Sequence, residues 1–272
     1  MIESKRQKEI EVKMIDLDKA KEEFKKYTNS YEKENGRISL KINHTYGVVD
    51  VSEYIAKSLE LDEENIKLAM LIGLLHDIGR FDQAKQFNDF EDYKTLDHAQ
   101  LGVDILFKKN LIRKFIETDK YDNIIYKAII NHNKYEIDKD LNEIETLYAK
   151  IIRDADKLDN FRVKQFQSLE LLCNEKEENV GKTKITEKIF NDFMNYKTII
   201  SSERKTPMDN WVSYIAFLFD INFTPSFKYI KEKKYIEALI NRIKYIDSDT
   251  ISKMEKIKEH ALNYLDIKSE NK

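Results

Sequence analysis

The chain has 272 residues, 41% of them hydrophobic, which supplies a real core for one large domain or two small ones. Six Gly and two Pro (Pro207 and Pro225) are too few turn-formers for an all-β chain and few even for an α/β one, so the expected fold class is all-α. Lys plus Arg (47) nearly balance Asp plus Glu (50), so no overall field favours nucleic acid or an anionic membrane, and any phosphate recognition must be local.

The first residues, MIESKRQKEIEVKMID, contain no apolar signal-like region, and no run approaches the ~18 residues of a membrane span. The single cysteine, Cys173, excludes an internal disulfide and suits a reducing cytosol. A cytoplasmic protein is expected. Helical periodicity recurs from Met14 to Leu265. Breaks are expected near Asn35-Gly36, Leu61 to Glu64, Arg80 to Asp97, Asp119 to Asp122, Asn133 to Asp140, Glu175 to Lys184 and Ser201 to Asn210. No internal repeat or long linker interrupts it. The best candidate boundary, CNEKEENVGKTK, is short, so the expected organisation is one domain over 1–272, with a helical C-terminal extension packed on an N-terminal core.

Taken in chain order, the histidines fall in a pattern. At ~100° per residue His44 shares a face with Val48, Val51, Ile55 and Leu59, an inward stripe. From Ile66 to Leu75 eight of ten residues are apolar, and this buried segment ends in His76-Asp77. A carboxylate removed from water there costs far more than one hydrogen bond returns unless a charge or a metal ion compensates it. Adjacent helix positions diverge by ~100°, so the pair serves one ion only near a helix end, where Gly79 is expected to let the chain turn away. His98 lies on a face with Leu101, Gly102 and Ile105, and His132 on one with Ile124, Ile125, Ala128 and Ile129. His260 falls outside the stripe of Ile251, Met254, Ile257, Ala261 and Leu265 and is expected at the surface.

Four inward imidazoles and a carboxylate arriving from different helices are what a borderline or hard divalent cation requires, and helical bundles commonly build metal sites this way. A further carboxylate lies in YAKIIRDADKLDNF. There Ile144, Leu147, Tyr148, Ile151, Ile152 and Ala155 form an apolar stripe, Asp154 and Asp156 flank it on opposite sides, and Asp159 falls within it. Periodicity alone does not choose among the three. Two other stretches carry no function: VGKT lacks the glycine five residues before Gly181, and DKDLNE has Glu143 where a calcium loop needs its glycine.

A His, a His-Asp pair ending a later helix and a distant Asp, with HDIGRF (76–81), DHAQLGVDIL (97–106), IINHNKY (129–135) and RDADKLDNF (153–161), resemble the HD-domain superfamily of metal-dependent phosphohydrolases. The resemblance covers roughly residues 37–161 and leaves 162–272 unexplained. It implies an HD helical bundle and a ligand set of His44, His76, Asp77 and Asp156, selecting Asp156 over Asp154 and Asp159. His98 and His132 are then the extra pair of two-metal members, with Asp77 bridging two ions. The set has no thiolate, which favours Mn, Fe, Mg, Co or Ni over structural zinc. The implied activity is hydrolysis of a phosphate ester, of a nucleotide or related small phosphorylated metabolite, by metal-activated water. Asp77, Arg80 and Lys157 are the expected catalytic residues, and Arg37, Lys41 and Arg80 the expected phosphate ligands. Arg204-Lys205 reads as a charged loop that could line a pocket. The same ligands also resemble the mixed-valent di-iron oxygenases of this superfamily. A binding module switched by metal or nucleotide is a further alternative, against which the complete ligand set argues.

Overall fold

The computed structural model describes residues 15–32 and 35–270, and among them the chain forms helices and turns with no strand. The start of the expected periodicity at Met14 lies outside the described residues. The first half runs α1 (Leu17–Thr28), α2 (Gly36–Ser58), α3 (Glu63–Leu75), α4 (Ile78–Phe87), α5 (His98–Val103), α6 (Ile112–Phe115), α7 (Asp122–Asn131) and α8 (Glu143–Phe166). The second half adds α9 (Leu169–Cys173), α10 (Glu177–Val180), α11 (Glu187–Met194), α12 (Pro207–Ile215), α13 (Thr224–Glu232), α14 (Tyr235–Arg242) and α15 (Ser248–Glu270). Among the described residues no helix is long and apolar enough to cross a membrane.

Local chemistry sets the helix starts. Asn35, Asp62 and Asp97 accept backbone N–H groups at the first turns of α2, α3 and α5. Asn142 with Glu145, and Thr206 with Asp209, form reciprocal capping boxes on α8 and α12. α2 packs on α3 and α8, and α7 also packs on α8. Every residue of α3 from Leu68 to Leu75 is buried, which is why that segment reads as an unbroken apolar run. The α8 stripe is buried from Tyr148 through Ile151, Ile152 and Ala155, whereas Ile144 in its first turn is 40% exposed.

The expected loop from Arg80 to Asp97 is half wrong, because α4 occupies its first part. Phe81 and Ala84, three apart, are buried, as is Gln83 between them. The Gln83 amide donates to Asp92 Oδ1, Thr95 Oγ1 and the Leu96 carbonyl, so one buried polar side chain holds the rest of the segment in place. Gly79 is not the turn. No glycine among the described residues has positive φ, and the bend lies at Asp77 (φ −103°, ψ 17°). Gly79 instead permits close packing, since a Cβ there would stand 2.3 Å from the His98 carbonyl oxygen on α5.

The C-terminal helices attach to the first half chiefly through α14 and α13 on α8 and α13 on α2. Three polar residues of α8 fix the turn that follows α12. Arg153 Nη2 and Lys157 Nζ meet Asp220 Oδ2 at 2.5 and 2.7 Å. Asp154 accepts the Asn222 backbone N–H at 2.9 Å and that of Phe223 at 3.1 Å. His260 is not the free surface residue expected: it is half-buried among Phe193, Tyr196 and Phe219, with the Tyr196 ring stacked at 4.3 Å. The stripe of α15 did not reveal this because the covering rings come from other elements.

Candidate metal centre

Six side chains from five places converge. His44 projects from inside α2, and His76 is the last residue of the α3 turn, immediately before Asp77. His98 opens α5, His132 ends α7, and Asp156 lies in the middle of α8. The four histidines and Asp77 are all buried.

The Asp77 carboxylate faces two ways. Its Oδ2 is 3.7 Å from His44 Nε2 and 3.4 Å from His76 Nε2, and both imidazoles also approach Asp156 Oδ1, at 3.0 and 3.7 Å. Its Oδ1 is 3.3 Å from His98 Nε2 and 3.7 Å from His132 Nε2. The six expected ligands therefore form two half-sites that share one carboxylate.

Each imidazole is oriented from behind. His44 Nδ1 lies 2.7 Å from Asp159 Oδ2, and His98 Nδ1 lies 2.6 Å from Asp92 Oδ2. His76 Nδ1 faces the Gly73 carbonyl at 2.8 Å, and His132 Nδ1 faces the Ile129 carbonyl at 2.7 Å. Each half-site thus has one histidine backed by a carboxylate and one backed by a carbonyl. The carboxylates are held by arginines: Arg162 Nε donates to Asp159 Oδ1 at 2.6 Å, and Arg80 Nη1 to Asp92 Oδ1 at 2.7 Å. Acceptors at Nδ1 fix the tautomer with the proton there and turn the Nε2 lone pairs inward.

A divalent cation fits this arrangement. His76 Nε2 is buried with no hydrogen-bond partner among the described residues. His98 Nε2 and His132 Nε2 stand 2.9 Å apart, and with both protons on Nδ1 two lone pairs face each other, which a positive charge between them makes favourable. Burial opposes ionisation of Asp77, but Lys41 and His76 outweigh it and hold the carboxyl well below its usual range. Asp156 is likewise held low, by His44 and His76 against burial. Burial disfavours charge on His76, yet the neighbouring Asp77 and Asp156 raise its pKa to about 9. His98 moves the other way, to about 4, through burial and the Arg80 charge.

The basic residues surround the mouth. Lys41 Nζ sits 2.6 Å from Asp77 Oδ2. Arg80 Nη1 is committed to Gln83, the Phe90 carbonyl and Asp92, while its Nε has no hydrogen-bond partner among the described residues and points to Asp77 Oδ1 at 3.6 Å. Arg37 donates to the Leu171 carbonyl and Asn174 Oδ1. The charged ends of Arg37, Lys41 and Arg80 all stand 5.4–5.6 Å from the centre of the Phe90 ring. Lys157 is turned to Asp220. Arg204 lines the same cleft, whereas Lys205 is exposed and is not among the residues that line it.

Asp159 was one of three open candidates in the sequence, and the structure makes it a support for His44 rather than a member of the inner cluster. Its signal was a carboxylate in the middle of an apolar stripe. Asp92 was missed because it lies in a polar stretch with no periodicity.

Residues 42–160 match the family model of the HD domain, and the clustered His and Asp side chains fit a metal site of that type. All six converging residues fall within the match, while Arg37, Lys41 and the C-terminal helices fall outside it. No curated protein and no solved structure matches the chain.

Proposed function

We propose that the chain is a metal-dependent phosphohydrolase that binds two divalent ions and cleaves a phosphate ester of a nucleotide or related small phosphorylated metabolite. The observation that carries this is the two-faced Asp77 carboxylate, with a separate pair of inward Nε2 atoms on each of its oxygens. His44, His76 and Asp156 complete one half-site, and His98 and His132 the other. Bound there, the ions supply a water of lowered pKa and neutralise a phosphoryl oxygen.

The protein's own groups orient the ester. Arg80 Nε is the buried donor left over beside Asp77, and it faces the place a phosphoryl oxygen would take. Lys41 holds Asp77 directly and exchanges that contact for substrate oxygen when the carboxylate is otherwise neutralised. Arg37 adds positive charge beside the Phe90 ring. Lys157 acts indirectly, holding Asp220 and with it the turn that walls the cleft.

The test is turnover of phosphomonoesters, nucleoside mono- and triphosphates and phosphodiesters by protein loaded with Mn, Fe, Co or Mg. Phosphate release that depends on metal and disappears in Asp77→Asn is expected. A reaction that consumes dioxygen and releases no phosphate would overturn the reading in favour of an oxygenase.

A further inference from the structure

The cleft does not stop at the metal ligands. It is one cavity of about 690 Å³ that continues outward along α8 to the C-terminal helices. On α8 the cleft-facing residues Asp156, Asn160 and Lys164 are spaced four apart, so the row advances roughly 12 Å from the metal ligand to the lysine at 1.5 Å per residue. They are linked: Asn160 Nδ2 donates to Asp156 Oδ1 at 2.9 Å, and Lys164 Nζ donates to Asn160 Oδ1 at 2.6 Å.

Lys164 is buried, 5% exposed. Its ammonium lies 4.1 Å from the Tyr214 ring centre and 5.7 Å from that of Phe217, and it stands in the last turn of α8, where the helix dipole favours positive charge. The neighbour of Tyr214, Ser213, receives Arg204 Nη1 at 3.3 Å, so a second cation reaches the same wall. The lining of the same cleft also includes the apolar Val163, Leu172 and Phe217. The cleft therefore carries cations beside the metal ligands and again at the Lys164 end, with apolar side chains among the polar ones of its wall.

We propose that Lys164 and Arg204 form a second anion-binding subsite at the outer end of the cleft, so that the substrate is a phosphate ester with a further anionic group at the end away from the scissile phosphate. The inner end of this inference rests on the phosphohydrolase reading; the outer end rests on the α8 row and the α12 wall. A ligand with two anionic ends and an apolar spacer gains a charge-assisted contact that a simple monoester of the same length lacks.

The experiment uses non-hydrolysable probes on metal-loaded full-length protein. Binding of α,ω-alkane bisphosphonates of increasing chain length is compared by calorimetry with binding of the matching alkyl monophosphonates. The bisphosphonate advantage is expected to pass through a maximum of about ten-fold when the spacer covers the row, and to shrink as salt is raised. Arg204→Met, at a half-exposed position, and Lys164→Met should each reduce that maximum, and circular dichroism checks that both remain helical. No maximum along the wild-type series, or a maximum unchanged in both variants, overturns the subsite. Turnover of the corresponding esters is scored separately. A bisphosphonate preference without ester hydrolysis sinks the hydrolase reading and keeps the subsite, and hydrolysis without preference does the reverse.

Discussion

Gly47→Ala is a one-methyl change on α2 that should reach the metal centre through Asp159. A Cβ at this position would stand 1.9 Å from Asp159 Oδ1, 2.6 Å from its Cγ and 2.8 Å from Arg162 Nη2. The carboxylate has no room to yield: it is buried, its Oδ2 serves His44 at 2.7 Å and its Oδ1 accepts from Arg162 at 2.6 Å. Helix propensity favours alanine by about 1 kcal/mol. Overpacking and the loss of a buried charged hydrogen bond oppose it, together by roughly 2–5 kcal/mol. Net destabilisation of roughly 1–4 kcal/mol is expected in chemical denaturation of the metal-free protein. Metal affinity should fall roughly 10–100-fold, the usual effect of removing the group that orients a ligating histidine. Calorimetric titration with Mn measures this, and the double variant decides its route. With Asp159→Ala already present the methyl meets only the far end of the flexible Arg162 side chain, so Gly47→Ala should add little further loss. Wild-type affinity in Gly47→Ala, or losses that simply add in the double variant, would refute the reasoning.

Elemental analysis of fully loaded protein should give two transition-metal ions per chain, and a ceiling of one would remove His98 and His132 from the ligand set. Asp77→Asn should abolish metal-dependent phosphate release and greatly weaken metal binding while the helical circular dichroism signal persists; a folded variant with wild-type metal content and turnover contradicts the bridging role. Asp220→Ala leaves the buried Arg153 and Lys157 charges without their shared carboxylate, so it should cost roughly 3 kcal/mol or more in denaturant titration. A cost within experimental error would mean that the pair is not needed to hold the turn. Burial lowers the His260 pKa, so the unfolded chain takes up a proton at this site at higher pH than the folded one. Stability from this group is therefore present above about pH 6.5 and lost as pH falls below it. Comparing wild type with His260→Phe across that range should show the difference shift against wild type at acid pH; parallel curves would dismiss the idea.

The parts of the fold legible in the sequence were those written in local periodicity. The α3 run, the His44 stripe on α2 and the stripe on α8 identified the three helices that pack together at the centre. The end of the apolar run placed His76 and Asp77 at a helix end, but the positions of His98 and His132 at helix ends were not visible in their stripes, since end geometry is set by how neighbouring helices meet. The HD resemblance supplied the choice of Asp156, because periodicity treats it and Asp154 alike. The structure separates them by what lies across from each: imidazoles for Asp156, and the backbone of Asn222 and Phe223 for Asp154. Arg80 was expected as a catalytic residue and phosphate ligand, yet it also supports Asp92, a contact across twelve residues that no local pattern encodes. His260 was misplaced for a similar reason, as the rings that cover it come from distant segments.

The attachment of the Asp220 turn to α8 limits where this chain can be cut. The HD match ends at residue 160, but α8 continues to Phe166, and Arg153, Asp154 and Lys157 all turn to residues that come some sixty positions later. A fragment ending at the family boundary would keep those three charges and lose every partner supplied by Asp220, Asn222 and Phe223. It would also bare the apolar side of α8 on which α13 and α14 rest. Excision of the half that matches the family model is thus expected to yield an aggregating polypeptide. Any exchange of the C-terminal helices between this chain and another protein would have to carry the arginine, aspartate and lysine of RDADK together with the turn that they grip.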